Sequence, residues 1–334
     1  MADVTLAQEI AASSLPWYEE EVNELCLARE DPVMERLSKK IKVYDGGTKI
    51  QYPISVQPVS NGFRWYSNDE VFAMVGGQHL RSIEAGWARF QDNTTLANAR
   101  IDENSGKGQI VDVLKASRDN LSTNLNIKVA RRAHNLDAGL MSTFDDIFAT
   151  AAGTAYMGLL PGDVTGKHPT ASAATSLFAA QTDTVTEALD YETFDNAVED
   201  QSEGYAKWRA KLGFTTRWVL SAFRSQFQPQ ERYKDKDALK AGWTGQIVVS
   251  GVPIFSTNYA KGTDRKTADN YLTLITDQVF LVKLKKKMVS VTQHDLRPFQ
   301  DAVAYQALGN CQMVCLDPFH QYRFEKLKPS TFNA

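Results

Sequence analysis

Cysteine is scarce in this chain, with Cys26, Cys311 and Cys315 the three among 334 residues. So small and odd a number excludes a disulfide scaffold and fits a reducing compartment. Long hydrophobic runs are missing as well. The most apolar stretches, such as 149–160, are broken by Gly and Thr and fall short of the ~20 residues that span a bilayer, so no membrane helix is expected. The start, Met-Ala-Asp-Val-Thr, has neither the basic head nor the apolar run of a secretory signal, and the protein is expected to stay in the cell that makes it. Charge of one sign is not in excess: 37 Lys and Arg stand against 40 Asp and Glu, which disfavours tight binding to phosphate polymers.

Complete catalytic signatures are also wanting. His79, His134, His168 and His294 show no HExxH spacing, and no GxSxG occurs. Gly106-Lys107-Gly108 resembles half of a dinucleotide-binding motif, but Val111 stands where the third glycine belongs. Gly162 to Lys167 has its glycines one residue too close for a phosphate-cradling loop, and His168-Pro169 replaces the hydroxyl residue that would bind magnesium. Cys311, Cys315 and His320 could offer three ligands to zinc. On a strand, however, Cys311, Met313 and Cys315 face one way, and free Cys among apolar neighbours reads as core. Asp145-Asp146 reads as a helix cap or a solvated pair. No cofactor or metal is expected.

What is present is a globular composition, 43% hydrophobic and 23% charged, in a chain long enough for about two compact regions of ~100–200 residues. Residues 1–45 read as an arm cut by Pro16, Pro32 and Gly46-Gly47 into short helical pieces, the clearest over 17–37. In the next segment Ile50, Tyr52, Ile54 and Val56 alternate at period two, and Pro53 marks an edge strand. Pro58 to Asn61-Gly62 carries turn chemistry, and Phe63 and Trp65 resume the alternation, so a hairpin with an aromatic face is predicted over 46–67. Such a hairpin is marginal in water by itself and needs a partner surface. The stretch 68–104 mixes short helix and strand signals. Ile110, Leu114, Ser117, Leu121 and Leu125 then recur at helical spacing and predict one amphipathic helix over 108–134, ~40 Å long at ~1.5 Å per residue.

Residues 137–188, rich in Ala, Thr, Ser and Gly, read as a mobile loop. Helices are predicted over 191–205 and 216–227, two short strands about Ser250-Gly251, and further strands over 272–275, 279–284 and 288–291, before a largely apolar run over 301–324. The fold class is α+β. The one basic cluster, Lys283, Lys285, Lys286 and Lys287, reads as an exposed strand end, or as a contact with DNA or with an acidic partner.

This order of arm, hairpin, long helix and mixed remainder is similar to the Hong Kong 97-like fold of tailed-phage major capsid proteins. The resemblance is carried by Gly46-Gly47 leading into Ile50 to Pro53, an aromatic return strand, Ala85 to Phe90, then Asn104 and Gly106 before the long helix. Gly-Leu-Met-Ser-Thr-Phe-Asp-Asp from Gly139 to Asp146 closes the block, and the likeness is continuous over about 46–160.

The resemblance implies a non-enzymatic shell protein that assembles with itself into pentamers and hexamers enclosing double-stranded DNA, formed in the host cytoplasm and residing in the virion. It implies 1–45 as arm, 46–67 as an extended loop on a neighbouring subunit, and 68–146 as a peripheral domain with spine helix 108–134. An axial domain would cover 147–270, and 271–334 would return to the peripheral domain. Tyr52, Ile54, Pro58, Asn61, Gly62, Phe63 and Trp65 would make the intersubunit contact. Some members join a loop lysine to an asparagine, but no lysine lies between Gln57 and Trp65. Partners would be a scaffolding protein, supplied separately because only about 45 residues precede the hairpin, a portal protein, and in some shells a decoration protein. A near-neutral wall suits a chamber filled with DNA, which a basic wall would hold by counterion release. Two other readings remain: a cellular nanocompartment shell of the same fold, and an enzyme of unknown class.

Overall fold

The computed structural model describes residues 31–55, 80–103, 113–167, 174–176, 178–185, 189–202, 207–226, 246–260, 269–284, 289–296 and 300–327. The first described helix, α1 (Pro32–Ser38), starts where its sequence dictates: Asp31 caps it by accepting from the Val33 N–H, and Pro32 occupies the first turn, where its missing N–H costs nothing. β1 (Lys42–Tyr44), β2 (Lys49–Ser55), β3 (Leu80–Gly86) and β4 (Ala88–Ala97) follow, then α2 (Asn98–Glu103) and the long α3 (Val113–Ala133). The predicted long helix is therefore present over 21 residues, ~31 Å at 1.5 Å per residue; 108–112 lie outside the described residues. Leu121 and Leu125 are buried as their spacing requires, and Val129, Ala130 and Ala133 continue that face.

The 137–188 stretch is not a mobile loop throughout. It contains α4 (Phe144–Phe148), β5 (Thr165–Lys167), β6 (Ala174–Ser176) and β7 (Gln181–Thr184), and it buries Phe144, Ile147, Phe148, Tyr156, Leu159, Val164 and Phe178. Asp146 completes a capping box at α4: it accepts from the Thr143 N–H at 2.7 Å while its own N–H donates to Thr143 Oγ1 at 3.1 Å. The remaining elements are α5 (Tyr191–Ser202), β8 (Leu212–Thr215), α6 (Arg217–Gln226), β9 (Gln246–Val249), β10 (Val252–Ser256), β11 (Asn270–Ile275), β12 (Val279–Leu284), β13 (Val289–Asp295), β14 (Ala302–Cys315) and β15 (Tyr322–Leu327). β9 and β10 turn tightly through Ser250 and Gly251, both at positive φ, as the sequence reading placed them.

Two large sheets organise the chain. The first has the order β1-β12-β14-β13, with β4 also paired to β14; the second has the order β7-β15-β11-β8-β10-β9. The C-terminal strands do not all return to one region. β12, β13 and β14 join the first sheet, whereas β11 and β15 lie in the second with β7 to β10. The strands of 271–334 are thus shared between the two sheets. One core spans both sheets, joining Phe144, Phe148, Tyr156, Phe214, Phe255, Phe280 and Met313. A second packs α5 and α6 on the second sheet, and a small third one joins Leu121 and Leu125 of α3 to Leu96, Tyr305 and Ala307. Among the described residues no helix is long and apolar enough to cross a membrane.

Candidate functional site

The segment singled out by the sequence forms a separate two-stranded sheet, β2 with β3, in antiparallel register from Lys49 opposite Gly86 to Ser55 opposite Leu80. The predicted alternation holds. Ile50 is buried, Tyr52 and Ile54 are half-buried, and Gln51 and Pro53 are exposed. Pro53 is accommodated because either strand of a two-stranded sheet has a free edge. The return leg differs from expectation: Lys49–Ser55 pairs with Leu80–Gly86, a strand that lies beyond residue 67. Pro58, Asn61, Gly62, Phe63 and Trp65 lie outside the described residues. The sequence reading chose the nearest aromatic alternation as the partner strand, but pairing is decided by which legs can bury a shared face, here Ile50 and Tyr52 with Ile83.

The root of this hairpin is anchored in its own chain. Ile50 and Ile83 are each 1% exposed in the main core. Tyr52 packs edge-on against Tyr44 at 5.8 Å and Phe280 at 5.7 Å, so this expected contact residue has a large intramolecular role. Burial, and then the neighbouring Tyr44 hydroxyl, push the Tyr52 phenol above its usual range. Lys42 stands over the Phe280 ring at 3.6 Å, and loss of solvent lowers its ammonium pKa. Trp87 Nε1 donates to the Gly47 carbonyl at 2.9 Å, and Gln312 Nε2 to the Gly86 carbonyl at 3.1 Å. The Glu84 N–H donates to the Met157 carbonyl at 2.9 Å. On the same face as Ile54 sits Arg81, exposed; on the opposite face Leu80 is 67% exposed.

Among the described residues two further features present exposed apolar or neutral surface. Leu140, in the turn before α4, is 80% exposed. On the β4-β14-β13 part of the first sheet, α3 covers one face, while Gln91, Asn93, Thr95, Thr292, His294 and Leu308 stand exposed on the other. Sequence reasoning missed Leu80, Leu140 and Leu308, since nothing in the local pattern separates an exposed leucine from a core one. Of the basic cluster, Lys283 is half-buried near the end of β12 beside β1; Lys285, Lys286 and Lys287 lie outside the described residues.

The three residues considered for zinc have separate surroundings. Cys311 and Cys315 lie on one strand, about 13 Å apart at ~3.3 Å per residue. Cys311 Sγ is 3.4 Å from Met141 Sδ, and burial pushes its thiol up to about 12. His320 bonds Asp317 through Nδ1 at 2.6 Å and stacks on Trp208. Tyr156, also buried, accepts the Cys315 N–H at 3.0 Å.

The fold of the chain as a whole recurs in solved structures. The capsid asymmetric unit of Cyanophage A-1(L) superimposes with a TM-score of 0.63 at 12% identity, covering 93% of this chain and 97% of that one. The chain has the Hong Kong 97-like capsid fold. The same fold is seen in the capsid of an empty GTA particle, with a TM-score of 0.62, 10% identity and coverage of 93% and 95%. It is seen again in the holo-SrpI encapsulin complex of Synechococcus elongatus, with a TM-score of 0.57, 11% identity and coverage of 100% and 99%. No protein-family model and no curated protein sequence matches the chain.

Proposed function

We propose that this chain is the major capsid protein of a tailed phage, assembling with itself into pentamers and hexamers of an icosahedral shell around double-stranded DNA. The observation that carries the reading is the match of nearly the whole chain to phage capsid subunits. In this reading the first sheet with α3 is the peripheral domain and the second sheet the axial one. The hairpin lies on a neighbour, with Phe63 and Trp65 in the contact. A balance of 37 cationic to 40 anionic side chains leaves only weak, non-specific contact with DNA. Scaffolding and portal proteins, and a decoration protein on the outer surface, are the partners that such a shell would use.

A second reading, a nanocompartment shell enclosing protein cargo, is favoured by the encapsulin match over 100% of this chain. Sizing chromatography with light scattering, followed by negative-stain imaging, tests both. Closed shells are expected, their contents of DNA or protein deciding between the two, and a stable monomer with and without a scaffolding protein would sink both.

A further inference from the structure

The hairpin root combines features that oppose one another. Glycine occurs where each leg meets the body: Gly47, at φ +109°, precedes β2, and Gly86 ends β3. A Cβ at Gly86 would meet nothing within 4 Å, so sterics leave this backbone free to pivot. Yet the carbonyl of each glycine is gripped by a side-chain donor from outside the hairpin, Gly47 by Trp87 Nε1 and Gly86 by Gln312 Nε2.

Gln312 is 3% exposed, and its Oε1 accepts the Ser142 and Met313 N–H groups at 2.8 and 3.2 Å, so its amide cannot rotate without breaking three bonds. Trp87 is held in turn by Tyr44, edge-on at 6.1 Å. Swinging the legs would also draw Ile50 and Ile83 out of the core.

We propose that Trp87 and Gln312 are positioning residues that fix the direction of the hairpin legs in the free subunit, before any neighbour is met. The legs are then a pre-set strut, and association does not have to order them. Because Gln312 also holds the Ser142 N–H, the same amide ties the strut to the turn carrying the exposed Leu140. This goes beyond the shell reading, since it concerns the unassembled chain.

The test is a distance measurement between spin labels at Ser82→Cys on β3 and Asn124→Cys on α3. The background is Cys26→Ser, with Cys311 and Cys315 left in place because both are fully buried. Unassembled protein is expected to give one narrow distance peak. Trp87→Phe, which keeps a ring and removes the N–H, should lose the single peak, as should Gln312→Met, which keeps volume and removes the amide. A broad distribution in the unassembled parent, or a peak that stays narrow in both variants, would overturn the proposal. Should Gln312→Met fail to fold, Trp87→Phe decides alone. Absence of any assembled species would count against the shell reading and leave this measurement intact.

Discussion

The two large sheets solve the burial problem differently. The second covers both of its faces with its own chain: Leu272, Leu274, Val252 and Ile254 point to α5 and α6, while Leu212, Phe214, Phe255 and Ile275 point into the main core. β8 runs through its middle with every residue buried, and Gly213 leaves no room there, since a Cβ would come within 3.1 Å of Ile254 and Leu274. The outer part of the first sheet has α3 on one side and solvent on the other, and it and the hairpin leave Leu308 and Leu80 in water. A sheet that is complete alone holds a subunit together. A sheet with an open face, next to an anchored hairpin, leaves surface for something else. Substitutions in the two regions should therefore separate folding from assembly.

The largest effect is expected at Phe214, whose ring lies 4.8 Å from Phe144 and 5.1 Å from His134. Phe214→Ala should cost ~3–5 kcal/mol, as large-to-small changes in a packed aromatic core do. Leu308→Ala, at 42% exposure, should stay within about 0.5 kcal/mol. Urea unfolding of the unassembled subunit measures both, and similar midpoint shifts would erase the distinction between the sheets.

Next in size is Asp31, which joins the arm helix to the end of α3. Its Oδ1 accepts the Val33 N–H, and its Oδ2 lies 2.8 Å from His134 Nε2 in a fully buried pair. Asp31→Ala removes a cap and strands a buried ring nitrogen, for about 2–3 kcal/mol together. Asp31→Asn, which can still cap, should lose less. Equal losses in the two variants would show that the cap contributes nothing.

These contrasts also explain what was legible beforehand. α3 and β2 showed their periods because each has one face in a core and the other in water. The turn at Ser250-Gly251 was legible because its chemistry is local. β4 and the length of β14 were not: with one sheet face open, Gln91, Asn93 and Thr95 alternate with Phe90, Asp92 and Thr94, and no apolar rhythm marks a strand. The return leg Leu80–Gly86 was missed because it pairs across an interval of 24 residues, and pairing partners are a tertiary property. Of the contact residues, Tyr52 was rightly read as a strand residue with an apolar face. Its partners, Tyr44 and Phe280, come from strands whose proximity no local pattern records.

A smaller effect should follow acidification at the same C-terminal end of α3. The bond from Arg131 to Asp137, with Arg131 Nε 2.8 Å from Oδ2, holds the Asp137 carboxyl below its usual range. A carboxylate depressed in the folded state gives stability that is fully present above its unfolded pKa, near 4, and is lost as pH falls through the lower folded value. Both side chains are more than a third exposed or close to it, so solvent screening reduces the pair to about 0.5 kcal/mol or less. Asp137→Asn should therefore lose slightly less stability than the parent as pH falls below about 4, and the difference should shrink in salt. A variant as acid-sensitive as the parent would remove Asp137 from the account.

The smallest effect on folding, and the sharpest test of the comparison, is expected at Leu80. It faces away from the core, opposite Ser55 on the outward side of the hairpin, and is 67% exposed. Removing its side chain opens no cavity, and Leu80→Glu should change unfolding free energy by less than about 0.5 kcal/mol. In a shell the same position recurs in every subunit. If it meets a neighbour, burying an unpaired carboxylate there costs several kcal/mol per contact, of order the desolvation penalty of one ion, and shells should fail to close. Conversely, shells that form normally from Leu80→Glu would place the outward face of the hairpin in solvent in the assembled state. The intersubunit contact would then have to lie on the face of Ile54 and Arg81, and Arg81→Glu would become the substitution that separates a folded subunit from an assembled one.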